Sequence, residues 1–166
     1  MSANELPKKF EEFGEARRLG FLKAKEHKDK GGRLAGIFCT FTPLEIFDAA
    51  GIVPVSLCGT SEETIGDAEV NLPKNLCPLI KSSYGFAVSD KCPYTYFADI
   101  IVGETTCDGK KKMYELLSEL KDTYILHLPQ GIDRPYVLDM WESEIRLLKE
   151  KFEKKFNITI LKLLFL

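Results

Sequence analysis

The stretch LAGIFCTFTPLEIFDAAGIVPVSLC, residues 34–58, predicts a strand, a helix and a second strand in succession. Residues 34–39 form a short apolar run, and TPLE at 42–45 has the pattern of a capping box with proline at the first helical position. We expect that helix to run to Gly51 and the next strand to occupy residues 52–58. Two strands joined by a helix pair in parallel through a right-handed crossover. The stretch therefore predicts an α/β fold.

The remainder of the chain continues this alternation. Residues 98–102 and 123–128 read as strands, and residues 110–121 and 135–156 read as helices. TSEE at 60–63 offers a second capping box for a short helix, while Cys77-Pro78 and Cys92-Pro93 each place a proline where a helix can begin. We therefore expect a three-layer, Rossmann-like sandwich with a mostly parallel sheet of about four strands.

The two ends of the chain are expected to differ from this central domain. Residues 4–28 read as an exposed helix ended by Gly31-Gly32, so residues 1–32 form an N-terminal helical segment. The α/β domain then covers residues 33–157. Residues 158–166 are an atypical apolar tail, which we interpret as a fifth strand, as the product of a truncation or as a tail that docks on a partner. Apolar residues fall near one face of each of the two end helices: Leu6, Phe10, Phe13, Phe21 and Ala24 in the first; and Leu138, Trp141, Ile145, Leu148 and Phe152 in the last.

The composition is that of an ordinary globular protein. The 166 residues are 45% hydrophobic and 29% charged, with a formal net charge of −2. Nothing in this balance calls for a nucleic-acid or membrane partner. The charged N-terminus has no apolar segment of the secretory kind, and five cysteines do not suggest a disulfide scaffold. We expect a cytoplasmic protein with free thiols or metal ligands.

The cysteines are the strongest candidates for chemistry. Cys39 and Cys58 end the first two predicted strands, and Cys107 follows the third. Ligands of open α/β sheets bind outside the carboxyl ends of the strands, so three sulfurs converge on the expected functional edge. Cys77 and Cys107 also begin predicted helices, and a helix N-terminus and nearby lysines favour the metal-binding thiolate. The alternative is that each cysteine is a small buried apolar residue.

Four motifs resemble the family of 2-hydroxyacyl-CoA dehydratases and benzoyl-CoA reductases, in its dehydratase D-component-like branch that includes double-cubane iron–sulfur proteins. The resemblance covers residues 36–129, which correspond to the N-terminal half of family members. The motifs are FCTFTPLE at 38–45, AAGIVP at 49–54, LPKNLCPLIKSSYG at 72–85 and GETTCDGKKKM at 103–113.

The resemblance implies an iron–sulfur cluster of the 4Fe–4S or double-cubane type. Cys77 and Cys107 match the two ligands that the family takes from this half, and Cys39 and Cys92 resemble additional cysteines of the double-cubane branch. Zinc is the usual competitor for cysteine sites, but structural zinc sites favour closely spaced cysteine pairs that this chain lacks. Cys58 is expected to pack at a strand end.

The resemblance also implies an activity of anaerobic metabolism. One electron on the thioester of a 2-hydroxyacyl-CoA gives a ketyl radical from which the 2-hydroxyl leaves. A separate ATP-hydrolysing iron–sulfur activator injects that electron, and the chain itself has no phosphate-binding glycine loop. Partners would be this activator, a related dehydratase subunit or a second copy, and an acyl-CoA or other small-molecule substrate. The alternatives are a double-cubane reductase of small molecules and a non-catalytic remnant or interaction domain.

A few polar residues near the same edge have open roles. Glu45, Ser82 and Ser83 are the candidate catalytic side chains, although each is also explained by helix capping or a helix start. Lys110, Lys111 and Lys112 either meet the phosphates of coenzyme A or stabilise Cys107. His27 and His127 are isolated and are expected to be structural.

Overall fold

A computed structural model of the chain describes residues 10–161. Four strands and seven helices alternate along it. The strands are β1 (Arg33–Ile37), β2 (Ile52–Ser56), β3 (Ile100–Glu104) and β4 (Thr123–Leu126). The helices are α1 (Phe10–Asp29), α2 (Leu44–Ala49), α3 (Ile65–Ala68), α4 (Pro78–Val88), α5 (Pro93–Phe97), α6 (Asp108–Leu120) and α7 (Val137–Phe156). None of the described helices is long and apolar enough to cross a bilayer.

The four strands form one parallel sheet in the order β2-β1-β3-β4. Leu34 lies opposite Val53, and Gly36 lies opposite Ile101, so β1 is central together with β3. All four carboxyl ends consequently meet at one edge of the sheet. The predicted α/β sandwich with a parallel sheet is confirmed.

Alternate side chains of β3 show the three layers directly. Ile100 and Val102 pack with Phe47 of α2 and Phe152 of α7, whereas Ile101 packs on the opposite face. That second face is covered by α4 and α6, whose buried residues are Ile80, Tyr84, Met113, Tyr114 and Leu117. A strand that is buried on both faces reads as a continuous apolar run, which is why β3 was visible in the sequence.

The N-terminal helix α1 is attached to the sheet by an ion pair and by apolar contacts. Lys28 donates to both carboxylate oxygens of Asp99 at 2.7 and 2.8 Å, and Asp99 also accepts from the Leu34 amide. Ala24 is buried and Phe21 lies edge-to-face against Tyr94. Phe13 is 58% exposed, so it does not share these contacts although the sequence places it near the same helix face. The side chains of Leu6 and Phe10 lie outside the described residues.

Both predicted capping boxes are wrong. Pro43, not Thr42, occupies the N-cap of α2, and the Thr42 hydroxyl donates instead to Glu104 at 2.6 Å. Helix α3 begins only at Ile65, and the Thr60 hydroxyl accepts a hydrogen bond from Arg17. In both places a tertiary partner satisfies the hydroxyl, so a local pattern could not predict its contact.

The end of the described chain folds back on α7. Asn157 ends the helix in a left-handed conformation, and Ile160 is buried in the core with its amide on the Glu153 carboxylate. Residues 158–161 form no strand, and residues 162–166 of the expected tail lie outside the description. Leu138 is 80% exposed, whereas Ile145, Leu148 and Phe152 are buried, so the predicted face of α7 was wrong at Leu138.

Replacement of Asp122 by asparagine should make the stability less dependent on acid pH. Burial alone would raise the pKa of Asp122, but hydrogen bonds from Lys155 and Lys151 outweigh it and lower that pKa. The ion pairs therefore stabilise the fold above the unfolded pKa of about 3.9 and lose this effect as the pH falls through the lower folded pKa. We expect Asp122→Asn to melt below the native chain at pH 7 and beside it near pH 2. A constant difference in melting temperature across this range would contradict the ion-pair explanation.

Candidate functional site

The cysteines lie where the topology predicted them. Cys39 and Cys58 each follow a strand by two residues, and Cys107 lies three residues beyond β3. Cys77, Cys92 and Cys107 are the N-cap residues of α4, α5 and α6. All five are free thiols. The parallel order of the strands brings residues that are far apart in the sequence to the same edge of the sheet.

Helices α4 and α6 meet at their N-terminal ends. A Cβ built on Gly109, in the first turn of α6, would lie 2.8 Å from the Ile80 side chain and 2.9 Å from the Leu76 side chain. Leu76 directly precedes Cys77, and Gly109 is two residues after Cys107. The close approach that glycine permits therefore packs the first turn of α6, which follows Cys107, against the segment around Cys77. Both cysteines are exposed, and neither sulfur caps its own helix.

Cys39 lies at the same edge of the sheet, just after β1, the strand that pairs with β3. It adopts a left-handed backbone conformation with φ of 68°. Its sulfur contacts the Lys110 ammonium and lies 3.5 Å from the Thr106 hydroxyl. Lys110 thus faces Cys39, while Lys111 and Lys112 pair with Asp108 and Glu115. Lys110 was expected to stabilise Cys107, but its ammonium contacts the sulfur of Cys39, at the end of β1, instead.

The hydroxyls of Ser82 and Ser83 hold the loop after β2 against α4. Ser82 donates to the Ser61 carbonyl, and Ser83 donates to the Leu79 carbonyl and accepts from the Gly59 amide at 2.8 Å. Both side chains are buried. In the structure these two candidate catalytic groups fix the chain that follows Cys58. Glu45, the third candidate, is exposed at the start of α2.

Lys81 fixes the loop that leads into Cys77. Its side chain is only 8% exposed, and its ammonium donates to Glu69 and to the Lys74 carbonyl, each at 2.7 Å. This hydrogen bond, opposed by burial, holds the pKa of Glu69 below its usual range. A buried lysine needs such partners, and here they define the path of residues 69–77.

Lys81→Met should therefore loosen this loop and lower the melting temperature by several degrees, because the charged hydrogen bonds are lost. Lys74→Met is the matched control, since Lys74 is exposed, offers its backbone carbonyl to Lys81 and acts on Glu69 only through a smaller charge interaction. We expect it to melt with the native chain in a thermal scan followed by circular dichroism. Equal melting of both variants would show that the Lys81 contacts do not stabilise the fold.

Glu104 is a buried acid near the cysteine edge, to which the sequence analysis assigned no role. It is fully buried at the end of β3, and one carboxylate oxygen accepts from Thr42. Its other oxygen is the only buried side-chain oxygen or nitrogen without a hydrogen-bond partner among the described residues. The sequence feature that could have indicated a buried acid is a glutamate within the apolar run of β3. Through Thr42, Glu104 ties the loop of Cys39 to the strand that leads to Cys107.

Cys58 and Cys92 line a small cavity together with Arg17 of α1, away from the Lys110 contact of Cys39. Cys58 is exposed, so its expected packing role was wrong. Cys58 follows β2 at the same sheet edge as Cys39, but it lines a cavity together with Cys92 that Cys39, Cys77 and Cys107 do not line. Within residues 10–161, no three His, Cys, Asp or Glu side chains surround a common point that could hold a metal ion.

Comparison with known proteins identifies the family. The sequence model described as 2-hydroxyglutaryl-CoA dehydratase, D-component, matches residues 39–162, which include this whole edge. The chain belongs to this family. The resemblance read from the four motifs is thereby confirmed.

One relative of this D-component chain comes from Escherichia coli (strain K12) and bears a name that describes it as a dehydratase subunit, YjiM. The two are 53% identical over 153 residues, which is 92% of the present chain and 40% of that relative. The chain thus spans less than half the length of the curated relative that it matches.

The cysteines of this D-component chain are the type of ligand that holds an iron–sulfur cluster, but the described residues do not bring enough of them together to hold one. Clusters are held by cysteine thiolates, and the edge presents exposed sulfurs at two adjoining helix N-termini. The N-termini of α4 and α6 supply positive charge at the positions of Cys77 and Cys107, and the Lys110 ammonium supplies it beside the sulfur of Cys39. A complete ligand set would need donors beyond the described residues.

Proposed function

We propose that this chain is the cluster-binding part of a 2-hydroxyacyl-CoA dehydratase-like enzyme, with Cys77 and Cys107 as iron ligands. The observation that carries the proposal is the meeting of α4 and α6 at Gly109, which packs the helix start after Cys107 against the segment around Cys77, while both cysteines are exposed N-cap residues. Membership of the dehydratase D-component family supports the reaction class.

When bound, the cluster would supply the single electron that a radical dehydration requires. The chain's own contribution is to hold and orient. Pro78 fixes the first turn of α4 behind Cys77, and Asp108 begins α6 directly after Cys107, so both cysteines lie at helix N-termini, whose first-turn amides have no acceptor within the helix. Lys81 fixes the approach to Cys77, and the Thr42–Glu104 hydrogen bond fixes the loop of Cys39.

Cys39 is a further candidate ligand, because its sulfur lies beside Thr106, the residue before Cys107. Its contact with Lys110 would have to give way to iron, so we assign it after Cys77 and Cys107. The proposal places the chain in the cytoplasm, with free thiols, an ATP-hydrolysing activator and a second dehydratase subunit or copy as partners. An acyl-CoA is the proposed substrate.

Anaerobic purification of the complete gene product, followed by iron and acid-labile sulfide analysis and EPR, tests the proposal. We expect iron and sulfide in equal amounts and an EPR signal after reduction. Stoichiometric zinc without sulfide would contradict it. A complete gene product that carries no metal would favour a non-catalytic interaction domain.

A further inference from the structure

A second group of thiols lies in a cavity formed by α1, the end of β2 and the start of α5. The cavity has a volume of about 110 Å³. Cys58 and Cys92 both line it, together with Arg17, Thr60, Lys91 and Tyr94. These two cysteines are 34 residues apart in the chain (92 minus 58), so only the fold brings them to one cavity.

Local contacts anchor the two segments that carry these cysteines. Cys92 is the N-cap of α5, with Pro93 behind it, and its sulfur accepts a hydrogen bond from the Thr95 amide at 3.4 Å. Cys58 is followed by Gly59, whose amide donates to Ser83 and whose position leaves no room for a Cβ beside Ser82. Both cysteines therefore belong to anchored segments rather than to a free loop.

The charge in the cavity has one sign. Among residues 10–161, the charged side chains that line it are Arg17 and Lys91, and no carboxylate from this range does so. Arg17 is held in place by its 2.7 Å hydrogen bond to Thr60. Burial raises the pKa of Tyr94, the charge of Cys92 raises it further and Arg17 lowers it, so the Tyr94 hydroxyl lies within electrostatic reach of both groups. Two cations complement a thiolate and the carboxylates of an incoming anion.

We propose that this cavity is a dithiol site that reacts with anionic low-molecular-weight disulfides of the glutathione type, joining Cys58 to Cys92. The thiolate of one cysteine attacks a sulfur of the small disulfide, forming a mixed disulfide and releasing one thiolate of the small molecule. The second protein thiolate then attacks the protein sulfur of that mixed disulfide and releases the other small thiolate. The two protein thiols are oxidised to one disulfide, their two protons pass to the released thiolates or to water, and one small disulfide is reduced to two thiols.

This site is independent of the proposed cluster, because it uses neither Cys77 nor Cys107. It assigns to Cys92 a role that excludes iron ligation by the same sulfur. Arg17 and Lys91 favour a disulfide that carries carboxylates over one that carries amines.

The test uses the chain with Cys39→Ser, Cys77→Ser and Cys107→Ser, which leaves Cys58 and Cys92 as its only thiols. Treatment with glutathione disulfide should remove both thiols and reduce the intact mass by two hydrogen atoms. Cys58→Ser or Cys92→Ser in this background should stop at a mixed disulfide with glutathione. Stable glutathione adducts on both cysteines, disulfide-linked dimers or unreacted thiols would overturn the proposal.

The preference of the cavity for anionic disulfides is tested by comparing two disulfides of opposite charge and two arginine substitutions. Arg17→Gln should slow the reaction with glutathione disulfide by about threefold or more and leave the reaction with cystamine, a cationic disulfide, unchanged or faster. Arg18→Gln is the matched control, because Arg18 is exposed and pairs with Glu15 on the same helix. Equal slowing by both substitutions would overturn the assignment of an anionic disulfide. If the triple variant does not fold, peptide mapping of the oxidised native chain must still find Cys58 linked to Cys92.

Discussion

Cys107→Ser in the complete protein is expected to remove most of the cluster iron while leaving the fold intact. Serine keeps the size and the N-cap geometry of the residue but replaces a thiolate by a hydroxyl, which is a poor ligand for an iron–sulfur cluster. Cys107 is exposed, and its sulfur does not cap α6, so the fold does not depend on it. Cys77→Ser should behave in the same way at the start of α4.

The measurement is iron and sulfide per protein after anaerobic purification, with circular dichroism as the test of folding. Cys58→Ala is the matched control, because it removes a thiol that lines the other cavity. It should retain the iron and change the free energy of unfolding by no more than about 0.5 kcal/mol, as is usual for an exposed side chain. A full cluster in either serine variant, or loss of iron in Cys58→Ala alone, would show that the ligands are assigned wrongly.

Gly85→Ala is expected to be the most destabilising single-methyl substitution that the structure suggests. A Cβ on Gly85 would collide with the backbone carbonyl of Thr64, which cannot move aside as a flexible side chain can. Thr64 is buried at the N-cap of α3, and its hydroxyl donates to the Ser82 carbonyl of α4. The methyl group must therefore push α3 away from α4 and break this contact. We expect a loss of about 2–3 kcal/mol in the free energy of unfolding.

Gly66→Ala provides the matched control within α3. A Cβ there meets nothing within 4 Å, and alanine is a better helix former than glycine. We expect this variant to be as stable as the native chain or more stable by up to about 1 kcal/mol. Urea denaturation followed by circular dichroism measures both. If the two substitutions have equal effects, the close approach of α3 to α4 is not rigid.

The alternation of strands and helices was readable because each element carries its own pattern. The apolar runs of β1 and β3 are those of strands buried on both faces, and Cys77-Pro78 and Cys92-Pro93 mark helix starts that the structure confirms. Thr42 and Thr60 were misread because a hydroxyl can satisfy a local amide or a distant partner equally well. Glu104 and Arg17, the partners of those threonines, lie 62 and 43 residues away in the sequence.

The sequence by itself determined the parallel α/β architecture, the family and the placing of Cys39, Cys58 and Cys107 at one edge, because these follow from local pattern and strand direction. Only the tertiary structure decided which cysteines are neighbours. Glycine at position 109 lets α4 and α6 approach, and the packing of α1 on α5 places Cys92 with Cys58 and Arg17 instead. Such groupings depend on distances between segments far apart in the chain, and helix periodicity and strand alternation contain no information about those distances.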